Sequence, residues 1–154
     1  MWRNGSALAS KMNTRNIGNL TEAKILAALV KAGYLVSLPF GSGHKYDLII
    51  DDGKRFSRVQ CKTGRVRGGV LKFNGCSMPG NGAKRQGYKG VADFFAVLNP
   101  DDEQVYLVPV NEVGENDVSL RLIPTENGQS HRVRWAANYL LQPLLEQYAR
   151  VAQW

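Results

Sequence analysis

Tyr46-Asp47-Leu48-Ile49-Ile50-Asp51-Asp52-Gly53-Lys54-Arg55-Phe56-Ser57-Arg58-Val59-Gln60-Cys61-Lys62 decides how this chain folds. Two runs rich in branched residues flank Asp52-Gly53, a dipeptide that strongly favours a two-residue β-hairpin turn. With those two residues as the loop, opposed residue numbers sum to 105, so Asp47 faces Arg58 and lies diagonal to Gln60 on one sheet face. Lys62 shares that face, whereas Val59 and Cys61 point the other way. The hairpin is therefore expected to gather an acid, an amide and an ammonium.

Outward from the hairpin, the pattern is helical from about Asn16 to Ala32 and ends at Gly33, a C′ residue that can adopt a left-handed backbone. Tyr34 to Leu38 reads as a strand, followed by the loop Gly41-Ser42-Gly43. Downstream, Val70 to Phe73 is a short strand, and Gly75 to Gly90 is a Gly-, Lys- and Arg-rich loop. Phe94 to Leu98 and Val105 to Val108 flank Asn99-Pro100-Asp101-Asp102 as a second hairpin, and Val118 to Ile123 alternates as a further strand. From Pro143 the pattern is again helical. This order implies an α/β (α+β) domain with a central mixed β-sheet flanked by helices. Residues 1–12 are expected to form a mobile arm, and 13–154 a single domain with a basic loop over 63–92 and a C-terminal helix over about 143–154.

The net charge of +7 is unevenly placed. Residues 1–52 hold six Lys/Arg and four acids, residues 53–92 ten Lys/Arg and no acid, and residues 93–154 four Lys/Arg and nine acids. A forty-residue stretch without an acid points to a polyanion surface more than to simple solvation. Two cysteines make no disulfide framework, and no apolar run approaches the roughly 18 residues of a membrane span. An intracellular, reducing, cytoplasmic setting of bacterial or phage type and no membrane partner are therefore expected.

Glu22 adds a second acid. At helical spacing it shares a face with Gly18, Ile25, Leu26 and Leu29, so its carboxylate is aimed at the core and requires a partner: a cation, a metal-bound water, dense donors, or an internal Arg or Lys. Asp47 alone reads as one half of a cross-strand ion pair, and Gln60 with Lys62 as any half-exposed strand. Their convergence beside a basic region favours catalysis. Arg58, Arg65, Arg67, Lys72, Lys84, Arg85 and Lys89 are the candidate phosphate contacts. Tyr88 and Met78 suit either DNA packing or the protein's own core. His44, the nearest histidine to the site, reads as a solvated loop residue or a phosphate contact and stays outside the catalytic set, and His131 has no ligand-like spacing with Cys61, Cys76 or His44 for zinc. Gly-x-Ser-x-Gly is absent, which argues against a serine hydrolase.

These residues, as Gly18-x-x-x-Glu22, Tyr46-Asp47, Gln60-Cys61-Lys62 and the later strand Asp93 to Leu98, resemble the PD-(D/E)XK nuclease superfamily over residues 14–110. Within it the chain is similar to small group I intron-encoded homing endonucleases of the cyanobacterial oligomeric type, which use a Gln-x-Lys variant. The resemblance implies a restriction-endonuclease-like core and a metal-dependent, site-specific double-strand DNA endonuclease of homing type. It implies Mg²⁺, with Mn²⁺ as a substitute, held by Asp47, Gln60 and the backbone carbonyl of Cys61, with Glu22 acting directly or through a bound water. Lys62 would hold or polarise the attacking water. Gln60 departs from the usual acid and leaves the site one negative charge poorer, which implies modest metal affinity; no Pro precedes Asp47. Cutting a duplex with one small centre per chain implies a homo-oligomer, a dimer or a tetramer. Two other readings stand beside this one: a Holliday-junction resolvase, and a DNA-binding protein on a nuclease scaffold that has lost its chemistry, for which Gln60 is the main argument.

Overall fold

The computed structural model describes residues 12–78 and 80–145. The expected arm, apart from Met12, and the end of the C-terminal helix from 146 onward lie outside the described residues. Helix α1 spans Thr14–Lys31, two residues earlier than its periodicity suggests, because Asn13 caps it by accepting the Asn16 N–H at 2.8 Å. It ends at Gly33 (φ +96°), where Gly33 N–H bonds Val30 O and Tyr34 N–H bonds Leu29 O, the two bonds of a Schellman cap.

After α1 come β1 (Leu35–Ser37), β2 (Leu48–Asp51), β3 (Phe56–Thr63), β4 (Arg65–Arg67), β5 (Val70–Asn74), β6 (Cys76–Ser77), β7 (Gln86–Gly87), β8 (Phe94–Leu98), β9 (Val105–Pro109) and β10 (Asp117–Arg121). The main sheet has the order β1-β2-β3-β8-β9, with β3 and β8 parallel and the other pairs antiparallel. The fold is thus the expected α+β domain with a central mixed sheet. The flanking layers differ from expectation, because among the described residues α1 covers one face and a small antiparallel sheet, β10-β5-β4, covers the other.

Strand β3 explains why two layers are needed. Val59 is fully buried and packs with Ile25 and Leu29 of α1, together with Leu48 and Ile50 of β2 and Ala96 of β8. On the opposite face, Phe95 and Val97 of β8 meet Leu71 and Phe73 of β5 and Val118 and Leu120 of β10. Each of these large side chains contributes about 1.5–3 kcal/mol when fully withdrawn from water. Thr21 and Thr63 share a 2.7 Å hydroxyl hydrogen bond that ties α1 to the end of β3.

Two expectations are corrected. The β2–β3 pairs are Leu48↔Val59, Ile49↔Arg58, Ile50↔Ser57 and Asp51↔Phe56, so Arg58 lies opposite Ile49 and not Asp47. The turn holds four residues because the Asp52 carboxylate accepts the N–H groups of Lys54 and Arg55, while Asp51 accepts that of Gly53 (φ +86°). The shift is by two residues, so every side chain keeps its face. Second, the segment 63–92, expected as a basic loop around a short strand at Val70 to Phe73, also contains β4, β6 and β7: Arg65↔Lys72, Val66↔Leu71 and Arg67↔Val70 pair around Gly68-Gly69. The alternation of Arg65-Val66-Arg67 before two glycines was the signal for this hairpin. Gly64 forms the bend between β3 and β4, where a Cβ would strike the Leu71 side chain.

Candidate active site

The site is assembled where β2 begins and β3 ends. Asp47 immediately precedes β2, and its N–H bonds the Val59 carbonyl at 2.9 Å. Its carboxylate turns to the neighbouring strand, where Oδ2 accepts the Cys61 backbone N–H at 2.7 Å and the Gln60 Nε2 at 2.7 Å. The same Gln60 amide nitrogen is 3.5 Å from the Cys61 carbonyl oxygen. Asp47, Gln60 and the Cys61 carbonyl therefore converge through a single amide group that bridges two oxygens.

Lys62 comes next along β3, half-buried, with Nζ donating to the Cys76 carbonyl at 3.2 Å and the Tyr88 hydroxyl at 3.3 Å. Burial pulls its pKa below the ordinary lysine value, opposed by the Cys76 thiol and the Asp47 carboxylate. Burial likewise raises Asp47 above the usual carboxylate range, despite the Cys61 N–H, the Lys62 charge and the Gln60 amide.

Glu22 is less buried than its helix periodicity suggests. The inward line of α1 is Thr21, Ile25 and Leu29, and Glu22 stands at its edge, half-buried. Its pKa is raised by burial and then by the like charge of Asp47, and it belongs to neither of the ion pairs Lys24–Glu103 and Arg58–Asp93. Among the described residues no internal salt bridge accounts for Glu22. Burial, and after it both carboxylates, push the half-buried Cys61 thiol up.

Among the described residues no three His, Cys, Asp or Glu side chains converge on a metal position. A cation here would depend on neutral oxygens beside the acids, which suits a hard ion that prefers carboxylate, amide and carbonyl oxygen. The residues fit such an ion: the amide donor already lies between the Asp47 carboxylate and the Cys61 carbonyl, and rotating that amide presents its oxygen instead.

Above these groups opens a cleft of about 220 Å³ lined by His44, Lys45, Asp47, Gln60, Ser77, Gln86, Gly87, Tyr88 and Val91. The β6–β7 ribbon forms one wall. His44 stands at the cleft, near the site as its sequence position suggested, and Lys45, which had no assigned role, joins it; the His44 ring nitrogen is 2.6 Å from the Phe40 carbonyl oxygen. Tyr88 is buried and lines the cleft, whereas Met78 is exposed.

The candidate phosphate contacts divide into three sets. Arg65, Arg67 and Lys72 are exposed on the outer face of β4–β5, where the register also brings Arg121 of β10, which the charge count had assigned to the acidic tail. Lys84, Arg85 and Lys89 are exposed around the ribbon, Arg85 donating to the Asn116 side chain at 3.3 Å. Arg58 differs: it forks onto the Asp93 carboxylate at 3.0 and 3.2 Å and donates to the Gly90 carbonyl, so its guanidinium has a protein partner.

The sequence matches the family model for the PD-(D/E)XK endonuclease over residues 12–142, which takes in every element from α1 to β10. The chain belongs to the PD-(D/E)XK endonuclease family. No curated protein matches it in sequence. Among solved structures, the fold of this PD-(D/E)XK endonuclease is similar to that of a bacterial homing endonuclease, I-Ssp6803I, with a TM-score of 0.67 and 22% identity, covering 92% of this chain and 95% of the other. No helix among the described residues is long and apolar enough to cross a membrane.

Proposed function

We propose that this endonuclease is a metal-dependent, site-specific double-strand DNA endonuclease of the homing type. The observation that carries the reading is the convergence of the Asp47 carboxylate, the Gln60 amide and the Cys61 carbonyl within 3.5 Å contacts, with Lys62 on the adjoining residue. The structural similarity to a bacterial homing endonuclease supports it.

Asp47, Gln60 and the Cys61 carbonyl would hold Mg²⁺, or Mn²⁺ in its place, and Glu22 would complete the site directly or through a water. When bound, the ion supplies neutralisation of charge growing on phosphorus and on the departing oxygen. Asp47 brings the full negative charge, and its bonds from Cys61 N–H and Gln60 orient it. Lys62 holds the attacking water and places a positive charge beside the scissile phosphate. Arg65, Arg67, Lys72, Lys84, Arg85 and Lys89 bind the backbone, with the loss of affinity in salt that counterion release demands. Cutting both strands requires a second centre, supplied by another copy of the chain in a dimer or tetramer.

The test is cleavage of supercoiled plasmid and candidate duplexes in Mg²⁺ or EDTA, beside Asp47→Ala and Lys62→Ala. Mg²⁺-dependent cutting that falls by at least about 10³-fold in each variant is expected. Tight DNA binding without cutting identifies the protein as a DNA-binding scaffold, the reading that Gln60 favours. A four-way junction cut in preference to every linear duplex replaces homing with junction resolution.

A further inference from the structure

The ammonium of Lys62 is held by the ribbon, not by its own strand. Its two acceptors, the Cys76 carbonyl and the Tyr88 hydroxyl, stand at the two roots of β6–β7: Cys76 opens β6, Tyr88 follows β7, and the ribbon is paired as Cys76↔Gly87 and Ser77↔Gln86. Nζ also lies 4.6 Å from the centre of the Tyr88 ring, within cation–π range. Tyr88 is in turn immobilised, 8% exposed and edge-on to Phe95 with ring centres 5.4 Å apart, and Phe95 packs edge-on to Phe73. A lysine side chain has wide rotamer freedom, which a cage of this kind removes before substrate arrives.

The same ribbon has a second aspect. Lys84 and Arg85 are exposed between its roots and Lys89 lies one residue beyond Tyr88, while Tyr88, Ser77, Gln86 and Gly87 line the cleft with Asp47 and Gln60. One short element therefore carries cations suited to a polyanion and also the acceptors that fix the lysine.

We propose that Tyr88 is a positioning residue for Lys62, and that the β6–β7 ribbon couples its contact with DNA phosphates to the placement of that lysine. The proposal rests on the reading of Lys62 as part of a phosphodiester-cleaving site. The Tyr88 ring keeps the ammonium nearby; the hydroxyl sets its direction. A tyrosine kept only for packing would lose its hydroxyl without consequence for the rate, since the ring fills the core.

Single-turnover cleavage at saturating protein, duplex affinity in EDTA and thermal melting are measured for the native chain, Tyr88→Phe and Tyr88→Leu. Tyr88→Phe is expected to slow cleavage by about tenfold with duplex Kd within about twofold and an unchanged melting temperature. Tyr88→Leu, lacking ring and hydroxyl, is expected to slow it by about 100-fold, so that recovery toward the native rate follows the restored groups in order. A native rate in Tyr88→Phe, or a rate loss matched by weakened binding or a fall in melting temperature, overturns the positioning role. Failure of the native protein to cut in Mg²⁺ removes the active-site reading and the proposal with it, whereas a cutting native chain with an unaffected Tyr88→Phe removes the proposal alone. For the coupling, Lys84→Ala/Arg85→Ala is expected to lower the rate about threefold even at saturating DNA. A change confined to Kd overturns the coupling.

Discussion

Two clusters of charge, centred on Arg58 and Lys62 four residues apart along β3, are treated in opposite ways by the fold. Arg58 and Asp93 meet as fork and carboxylate, with the Arg58 backbone N–H also donating to Asp93 at 2.7 Å. Hydrogen bonding to Arg58 lowers Asp93, and bonding to Asp93 raises Arg58, so each stabilises the other's charged form. In Asp47, Glu22 and Lys62 burial pushes every group toward neutrality. The first cluster completes its electrostatics within the protein. The second does not, which supports the proposed site, where stability is given up for activity.

The widest separation between the clusters is in catalysis. Lys62→Ala is expected to remove cleavage by at least about 10³-fold, and Arg58→Ala to keep it within about tenfold while lowering the melting temperature by about 3 °C. Equal loss of cleavage from both would assign Arg58 to the DNA surface or the chemistry. Next in size is the charge of the ligand set: Gln60→Glu adds a third carboxylate, so it is expected to lower the Mg²⁺ needed for half-maximal cleavage by about tenfold, read by titration. An unchanged requirement would exclude Gln60 from the ion's surroundings.

Smaller effects lie in stability against pH, with opposite signs. Asp47 has a folded pKa above its unfolded value, so its charge costs stability above the folded pKa and nothing once pH falls below the ordinary value of about 3.9. Asp47→Asn in EDTA is thus expected to melt about 2–4 °C higher at pH 7, with the gain vanishing in acid. Asp93 is depressed, so its contribution is present above the unfolded pKa and lost as pH falls through the folded one. Asp93→Asn is accordingly expected to melt about 2 °C lower at pH 7, a small effect because the pair is exposed, and to match the native chain in acid. Melting curves in which both variants move the same way at pH 7 would erase the contrast.

The contrast was only half legible in the sequence. Period-two alternation gave Gln60 and Lys62 a common face, which the register preserved because its error was even; an error of one residue would have turned both away from Asp47. The loop length was hidden because it depends on the Asp52 side chain capping two N–H groups. The partner of Arg58 lies 35 residues away and that of Lys62 lies 26 residues away, and no local pattern reports such neighbours. The charge count identified the basic stretch but obscured its strands, since Val66, Leu71 and Phe73 are what fold it. Arg121 joined that surface through strand pairing alone.

The parallel pairing of β3 with β8 also sets an order of assembly. Hairpin β2–β3 closes over a few residues and carries Asp47, Gln60 and Lys62, but the cage of Cys76, Tyr88 and Phe95 requires the intervening strands to be gathered first. Loop closure over longer spans is slower and entropically dearer, by about 0.6 kcal/mol per doubling. A partly synthesised chain is therefore expected to display Asp47 and Lys62 early, with the lysine uncaged until the β6–β7 ribbon and β8 are in place. Competence to cut would then wait on contacts that span some thirty residues, well after the acids and the lysine have been brought onto one hairpin.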